Sequence, residues 1–276
     1  MSQYEEEIKK EIKNYLNKEE GYISKITNKI TAPVQWATDK MVPVSAITAM
    51  TKAFEGGLGL VNDVSQYTYS EKALFNSFAE RGYEVSSVKD ISELPFEVCD
   101  IVAQEFISSN KLIGAFEGAA LGIGGLISMA ADIPAIMTIN FRMLSQIANS
   151  YGFDTSTELE KIYLLQIFSL SGAGNQSGKA VAWNQLQKIA VDVAKKKTWK
   201  QLEKYSVVIV IKEIAEKLGI RLTKRKLGQL VPVIGAGVGG GLNYLFTRDN
   251  GVAALMAYRQ RRFDGGDKTL IAGTLN

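Results

Sequence analysis

Residues 112–151 read LIGAFEGAALGIGGLISMAADIPAIMTINFRMLSQIANSY. The first half is glycine-rich and apolar; the second carries a helical pattern and one arginine, Arg142. Gly114, Gly118 and Gly122 fall at i, i+4 and i+8, with Ala115 and Ala119 one step on. Spacing of four puts small residues on one ridge of a helix, where a second backbone can come close. Such a helix is poor in isolation, because each interior glycine costs about 1 kcal/mol relative to alanine. Its natural partner is the segment from Pro232 to Phe246, PVIGAGVGGGLNYLF, in which Gly235 and Gly239 repeat the spacing. The two ridges are expected to pack together at the centre of an all-α fold.

Gly124 and Gly125 should break the first glycine helix. Pro134 suits the first turn of a new one, where a missing N–H is not needed, and Asp132 is placed to cap that turn. Beyond it Thr138, Arg142, Ser145 and Asn149 form one stripe, expected to face water. Ile136, Met137, Phe141, Leu144, Ile147 and Ala148 cover the other side. Charges beside apolar glycine helices are expensive unless paired. Glu117, Asp132 and Arg142 are therefore the candidate catalytic group, and at least one of the carboxylates is expected to meet an arginine. The plainer reading makes Asp132 an N-cap and the others ordinary surface charges.

Elsewhere the chain reads as a succession of helices. Tyr4, Ile8, Ile12, Tyr15 and Leu16 share a face over residues 3–16, and Tyr22, Ile23, Ile26 and Ile30 continue the theme to Pro33. Residues 44–62 contain Ile47, Met50 and Phe54, then Gly56, Gly57 and Gly59, which make a bend or a third small-residue contact. Thr68 to Glu71 resembles a capping box, opening a helix that ends near Gly82. Ser92 and Pro95 open the next, with Leu94, Val98, Ile101, Val102 and Phe106 as its core face and Cys99 as a structural residue beside it. Asp154, Thr155 and Glu158 open a helix over Leu159, Ile162 and Phe168. After a glycine turn another runs from about Ser177 through Val181, Ile189 and Val193. Trp199, Leu202, Tyr205, Ile209 and Leu218 continue the pattern to Gly219, although VVIVI at 207–211 could be a strand.

The composition excludes several kinds of chemistry. With no histidine, Ser–His and Cys–His nucleophile pairs, HExxH metal sites and imidazole proton shuttles are all ruled out. A carboxylate metal site or a lysine mechanism stays open, but no spacing singles one out, and neither metal nor cofactor is expected. Cys99 is the single cysteine, so no internal disulfide forms, which fits a reducing cytosol. The opening MSQYEEEIKKEIKNYL is too charged for a signal peptide. AGNQSGKA at 173–180 comes close to a phosphate-binding loop, but Ala173 replaces the first glycine and Ala180 the magnesium-binding hydroxyl. The residues before it read as a helix where that motif needs a strand.

Charge is unevenly spread. Residues 179–226 hold 13 Lys/Arg against 4 Asp/Glu, a balance of +9, while the whole chain carries only +3. A basic block beside an uncharged glycine stretch suits an anionic lipid surface or nucleic acid; the bland alternative is a solvated helix face. Lys195, Lys196, Lys197, Lys224, Arg225 and Lys226 are the candidate lipid-binding residues. From Leu227 to Thr247 no residue is charged, nominally enough for one crossing of a bilayer. Its glycines, with Gln229, Pro232 and Asn243, make stable spanning unfavourable.

Three stretches together resemble the signature of the bacterial EcsC family. They are LPFEVCD at 94–100, GAFEGAALGIGGL…AADIPAI…R…YGFD at 114–154, and RLTKRKLGQLVPVIGAGVGGGLNYLF…AYRQRRF at 221–263. The likeness covers roughly residues 70–263. Glu117, the Asp132–Pro134 triplet, Arg142, Pro232, Gly235, Gly239 and Asn243 match the pattern. The resemblance implies membrane association and a gene neighbourhood with an ABC-transporter pair. It supplies no catalytic residues.

These observations lead to one expectation of fold and three of function. The fold is a single all-α domain of about ten helices, with an N-terminal appendage over 1–65, an EcsC-like domain over 66–263 and a flexible tail over 264–276. The leading function is a non-enzymatic, peripheral membrane protein of the cytoplasmic face, binding anionic lipid and no nucleic acid. The alternatives are a hydrolase acting on a lipid or membrane substrate through Glu117, Asp132 and Arg142, and a scaffold partnering an ABC transporter.

Overall fold

The computed structural model describes residues 2–17, 71–121, 125–156, 158–173, 176–194 and 235–266; side-chain surroundings are described for these except 114–136, 158–159, 192–194, 235–243 and 266. The described residues form eight α-helices and no strand. They are α1 (Gln3–Asn17), α2 (Glu71–Ala79), α3 (Val88–Ile91), α4 (Phe96–Leu121), α5 (Gly125–Ser150), α6 (Glu158–Gly172), α7 (Gln176–Ala194) and α8 (Gly235–Gly266). The all-α expectation holds. The helices expected at 22–30 and 199–218, and the glycine stretch within 44–62, lie outside the described residues.

The axis of the fold is α8, whose 32 residues extend about 48 Å at 1.5 Å per residue. Its longest interface is with α4, and it also touches α5, α6, α7 and α1. Pairs such as Asp100–Arg259 near one end and Lys111–Tyr244 further along show that α4 and α8 run antiparallel. Asn110–Gln146 and Asp100–Tyr151 show the same for α4 and α5. Gly251 lets α8 approach both: a Cβ there would stand 3.0 Å from Ile107 Cγ1 and 3.2 Å from Met143 Sδ. Around this axis Val102, Ala103, Leu144, Ile147, Tyr163, Phe168, Ala254 and Tyr258 belong to one buried core. That core also takes in Ile8 and Ile12 of α1, on the face that the sequence pattern picked out.

The ends of two helices are fixed by glycine. Gly82 and Gly152 have φ near +82° and +83°. At both, the pair of backspaced hydrogen bonds that closes a Schellman motif is present: Gly82 N to Ala79 O with Tyr83 N to Phe78 O, and Gly152 N to Asn149 O with Phe153 N to Ala148 O. Their surroundings differ. Around Gly82 a Cβ would meet nothing within 4 Å, whereas at Gly152 it would lie 2.7 Å from the Ser92 backbone nitrogen. Gly82→Ala should thus cost only the left-handed strain, about 1 kcal/mol. Gly152→Ala adds a backbone clash and is expected to cost at least about 1 kcal/mol more. Urea unfolding of the two variants side by side checks this; equal losses would show that the Ser92 contact yields freely.

Three local expectations need correction. No helix starts at Pro134: α5 begins at Gly125, itself expected to break a helix, and runs unbroken through Asp132 and Pro134. Asp132 is thus inside a helix rather than capping one. A proline there removes the hydrogen bond to the Ala130 carbonyl, so the penalty is borne by the packed bundle, which overrides local propensity. Ser92 closes the short helix α3, whose start is a capping box of Ser87 and Asp90, instead of opening α4. The buried face of α4 is Cys99, Asp100, Val102, Ala103, Ile107 and Asn110, while Ile101 is 39 % exposed. The two polar members of that face have buried partners, which no local pattern announces.

Candidate functional site

The polar residues inside this core form a chain of contacts along α8. Its centre is Asp100 on α4, fully buried. Arg259 on α8 grips both of its oxygens with one edge of the guanidinium, Nε to Oδ1 at 2.6 Å and Nη2 to Oδ2 at 2.7 Å. Tyr151, past the end of α5, donates its hydroxyl to Oδ1. Tyr4 of α1 donates to Oδ2 at 2.6 Å, and Gln104 Nε2 does so at 2.8 Å. Five donors thus converge on one carboxylate. Arg259 also reaches out to Glu11 of α1 at 2.7 Å, so α1 is tied to both members of the pair. Phe96 lies over the cluster, stacked on Phe263 at 4.6 Å.

The electrostatics follow from that geometry. Burial would raise the Asp100 pKa, but the Arg259 bonds and charge, with the two tyrosine hydroxyls, hold it below the ordinary carboxylate value. Burial and the Asp100 charge push the Tyr4 and Tyr151 hydroxyls up, so both keep their protons and donate. The carboxylate has no free lone pair directed at a substrate, and it is not built to accept a proton in turnover. The arrangement is a bidentate, enclosed clamp joining α1, α4, α5 and α8.

A second clamp lies two residues on along α8, on the other side of the helix. Arg261 makes two parallel bonds to Glu160 at the start of α6, one of them Nη1 to Oε2 at 2.6 Å. Its guanidinium carbon sits 4.2 Å from the Phe153 ring centroid and 4.7 Å from that of Tyr163. Further along, Asn250 donates to Asn140 at 2.9 Å and accepts from Ser171, and Asn110 donates to Gln146 at 2.8 Å. Buried amide and charge pairs of this kind fix the register of helices against one another. Cys99 is buried nearby, its thiol pushed up to about 11 chiefly by burial, which agrees with its reading as structural.

The expected site residues are not gathered into this core. Glu117 lies in the last turns of α4 and Asp132 in the first half of α5, both on backbone that is described while their side-chain surroundings are not. Arg142 is exposed on α5, with no ion pair to a described residue. Its stripe faces water only in part: Thr138 and Ser145 are half-buried, and Asn149 is buried with its side-chain oxygen accepting from Thr155 N at 3.3 Å. Lys195, Lys196, Lys197, Lys224, Arg225 and Lys226, and also Gly122, fall outside the described residues. Gly114 and Gly118 on α4 and Gly235 and Gly239 on α8 are carried to the same end of the bundle by the antiparallel register. Contact between those ridges lies outside the described side chains. Among the described residues, no group of three or more His, Cys, Asp or Glu could hold a metal.

The residues that reading from sequence missed are Asp100, Arg259, Glu160 and Arg261. Two of them stand in AALMAYRQRRF, where arginines interrupt an otherwise buried helical face at Ala253, Ala254, Ala257 and Tyr258. That interruption was the available signal.

An all-α bundle organised on one long central helix, with carboxylate–arginine clamps sealed in its core, is the class that the fold and its interior define. The model of the EcsC protein family matches residues 6–263, and the chain belongs to that family. The match takes in α1 as well as the motif-bearing helices. Two Bacillus subtilis (strain 168) proteins are similar. One is the uncharacterized protein YdbA, 28 % identical over 228 residues, or 81 % of this chain and 80 % of YdbA. The other is protein EcsC, 28 % identical over 173 residues, or 63 % of this chain and 67 % of EcsC. No solved structure matches.

Proposed function

We propose that the protein is a non-enzymatic, peripheral membrane protein of the bacterial cytoplasmic face, held to anionic lipid by its basic block. The observation that carries this reading is the charge balance of +9 over residues 179–226, set against +3 for the chain as a whole. Each basic residue close to an anionic bilayer contributes about 1 kcal/mol, and the attraction fades within a Debye length, about 10 Å at 0.1 M salt. Among the described residues no helix is long and apolar enough to cross a membrane, which agrees with adhesion in place of spanning. The best-defined charged centre, Asp100 with Arg259, has its hydrogen-bonding capacity spent within the bundle.

The test is flotation with vesicles of phosphatidylcholine alone and with one third phosphatidylglycerol. Binding is expected only to the anionic vesicles and is expected to fall as salt rises. Glutamine at Lys195, Lys196, Lys197, Lys224, Arg225 and Lys226 together should abolish it. Equal flotation of parent and variant would overturn the assignment of the basic block.

A further inference from the structure

Helix α1 is attached to the bundle by little apolar burial and by polar contacts spread along its length. It packs on α4, α7 and α8. Of the described core residues it supplies Ile8 and Ile12, where α5 supplies Phe141, Met143, Leu144 and Ile147 among others. The rest of its hold is largely polar. Tyr4 donates to Asp100 Oδ2 at 2.6 Å, and Glu11 accepts from Arg259 Nη1 at 2.7 Å. Lys179 of α7 donates to the Tyr15 carbonyl at 3.0 Å, and the Lys9 ammonium lies 5.2 Å from the Phe263 ring centroid. A helix of 15 residues is marginal by itself in water, so α1 stays helical because it is docked.

The same contacts close the outer edge of the first clamp. Arg259 spends Nε and Nη2 on Asp100 and turns Nη1 to Glu11. Besides Glu11, the described partner of Nη1 is the Met256 thioether at 3.9 Å, a weak acceptor. The Arg259 side chain is 2 % exposed and that of Glu11 55 % exposed, so the guanidinium is shielded on this side by α1. Lifting α1 takes one donor from Asp100 and a carboxylate from Arg259. It leaves the bidentate bond, Tyr151 and Gln104 in place.

We infer that α1 is a releasable strap. It leaves the bundle as a unit while α4, α5 and α8 stay packed, and its release opens the outer edge of the Asp100–Arg259 clamp to solvent. Segments with few buried apolar contacts open first, below the free energy of global unfolding. In the open form Arg259 Nη1 is a donor without a strong acceptor. The clamp then regains the hydrogen-bonding capacity that the closed form spends on Tyr4 and Glu11. The inference does not depend on the lipid-binding reading above.

Hydrogen exchange of the full chain, read by mass spectrometry, tests it. Amides of α1 are expected to exchange at least about 100-fold faster than the slowest amides of α4. Ile147→Val, in the buried face of α5, weakens the bundle equally with α1 on or off. It should speed the slowest α4 amides by roughly two- to tenfold and leave α1 exchange unchanged. Tyr4→Phe removes a strap contact and should speed α1 exchange by about fivefold, the equilibrium effect of one hydrogen bond. Equal exchange of α1 and α4, or α1 exchange speeded by Ile147→Val as much as that of α4, would mean one cooperative unit and overturn the inference. So would α1 exchange indifferent to Tyr4→Phe, which would place the opening in frayed turns and not at the clamp.

Discussion

Asp100→Asn is expected to destabilise the protein by about 3–5 kcal/mol, the range seen when one partner of a buried ion pair is removed. The substitution keeps the shape but turns one acceptor edge into a donor. Arg259, 2 % exposed, then faces an amide and keeps only the half-exposed Glu11 as a carboxylate. For a domain of this size the loss amounts to roughly 6–20 °C in Tm. The outer members of the cluster matter less. Tyr4→Phe removes one hydrogen bond and should cost about 1 kcal/mol, and Glu11→Gln, at a 55 % exposed side chain, less than about 1 kcal/mol. The pH dependence carries a definite sign. Because the folded-state pKa of Asp100 is lowered, its contribution is complete above the unfolded value of about 3.9 and is lost as pH falls through the folded value. Urea midpoints measured between about pH 2 and 7 should fall on the acid side for the parent and fall less for Asp100→Asn. A variant within 1 kcal/mol of the parent at neutral pH would mean that the clamp does not hold the bundle.

How much of this was legible in the chain depends on how far each feature reaches. The face of α1, the end of α2 at Gly82 and the paired helices α6 and α7 are local features of spacing and turn chemistry, and they stand where the pattern put them. The centre of the core was not legible. Asp100 and Arg259 are 159 residues apart, and a polar residue in a helical pattern is read as outward unless its partner is known. That habit rotated the core face of α4 towards Ile101 and left Asn149 on a stripe expected to meet water. It also directed attention to Glu117, Asp132 and Arg142, charges conspicuous among glycines, and away from charges conspicuous among alanines on α8. Pro134 misled in the opposite direction. Its local rule is strong, yet the helix on either side continues, because local propensity is a weak term that tertiary context overrides.

Arg261→Ala should rank with Asp100→Asn in effect, at about 3–5 kcal/mol, and for two separable reasons. The first is charge: Glu160, 4 % exposed, loses a cation bound to both of its oxygens. The second is volume, since the guanidinium fills the space between the rings of Phe153 and Tyr163, and truncation opens a cavity there. Arg261→Lys isolates the fork from the charge. An ammonium keeps the sign but can neither match both carboxylate oxygens in one plane nor stack flat on a ring, so a loss of about 2 kcal/mol is expected despite the conservative label. The double replacement Glu160→Leu with Arg261→Met then isolates the desolvation cost. It restores apolar volume and leaves no buried charge, and buried ion pairs replaced in this way are often neutral or stabilising. The double variant is therefore expected to be more stable than Arg261→Ala alone, by at least about 2 kcal/mol in urea unfolding. If its loss instead equals the sum of the two single losses, the pair is not coupled, and the second clamp does not act as one unit in joining α6 to α8.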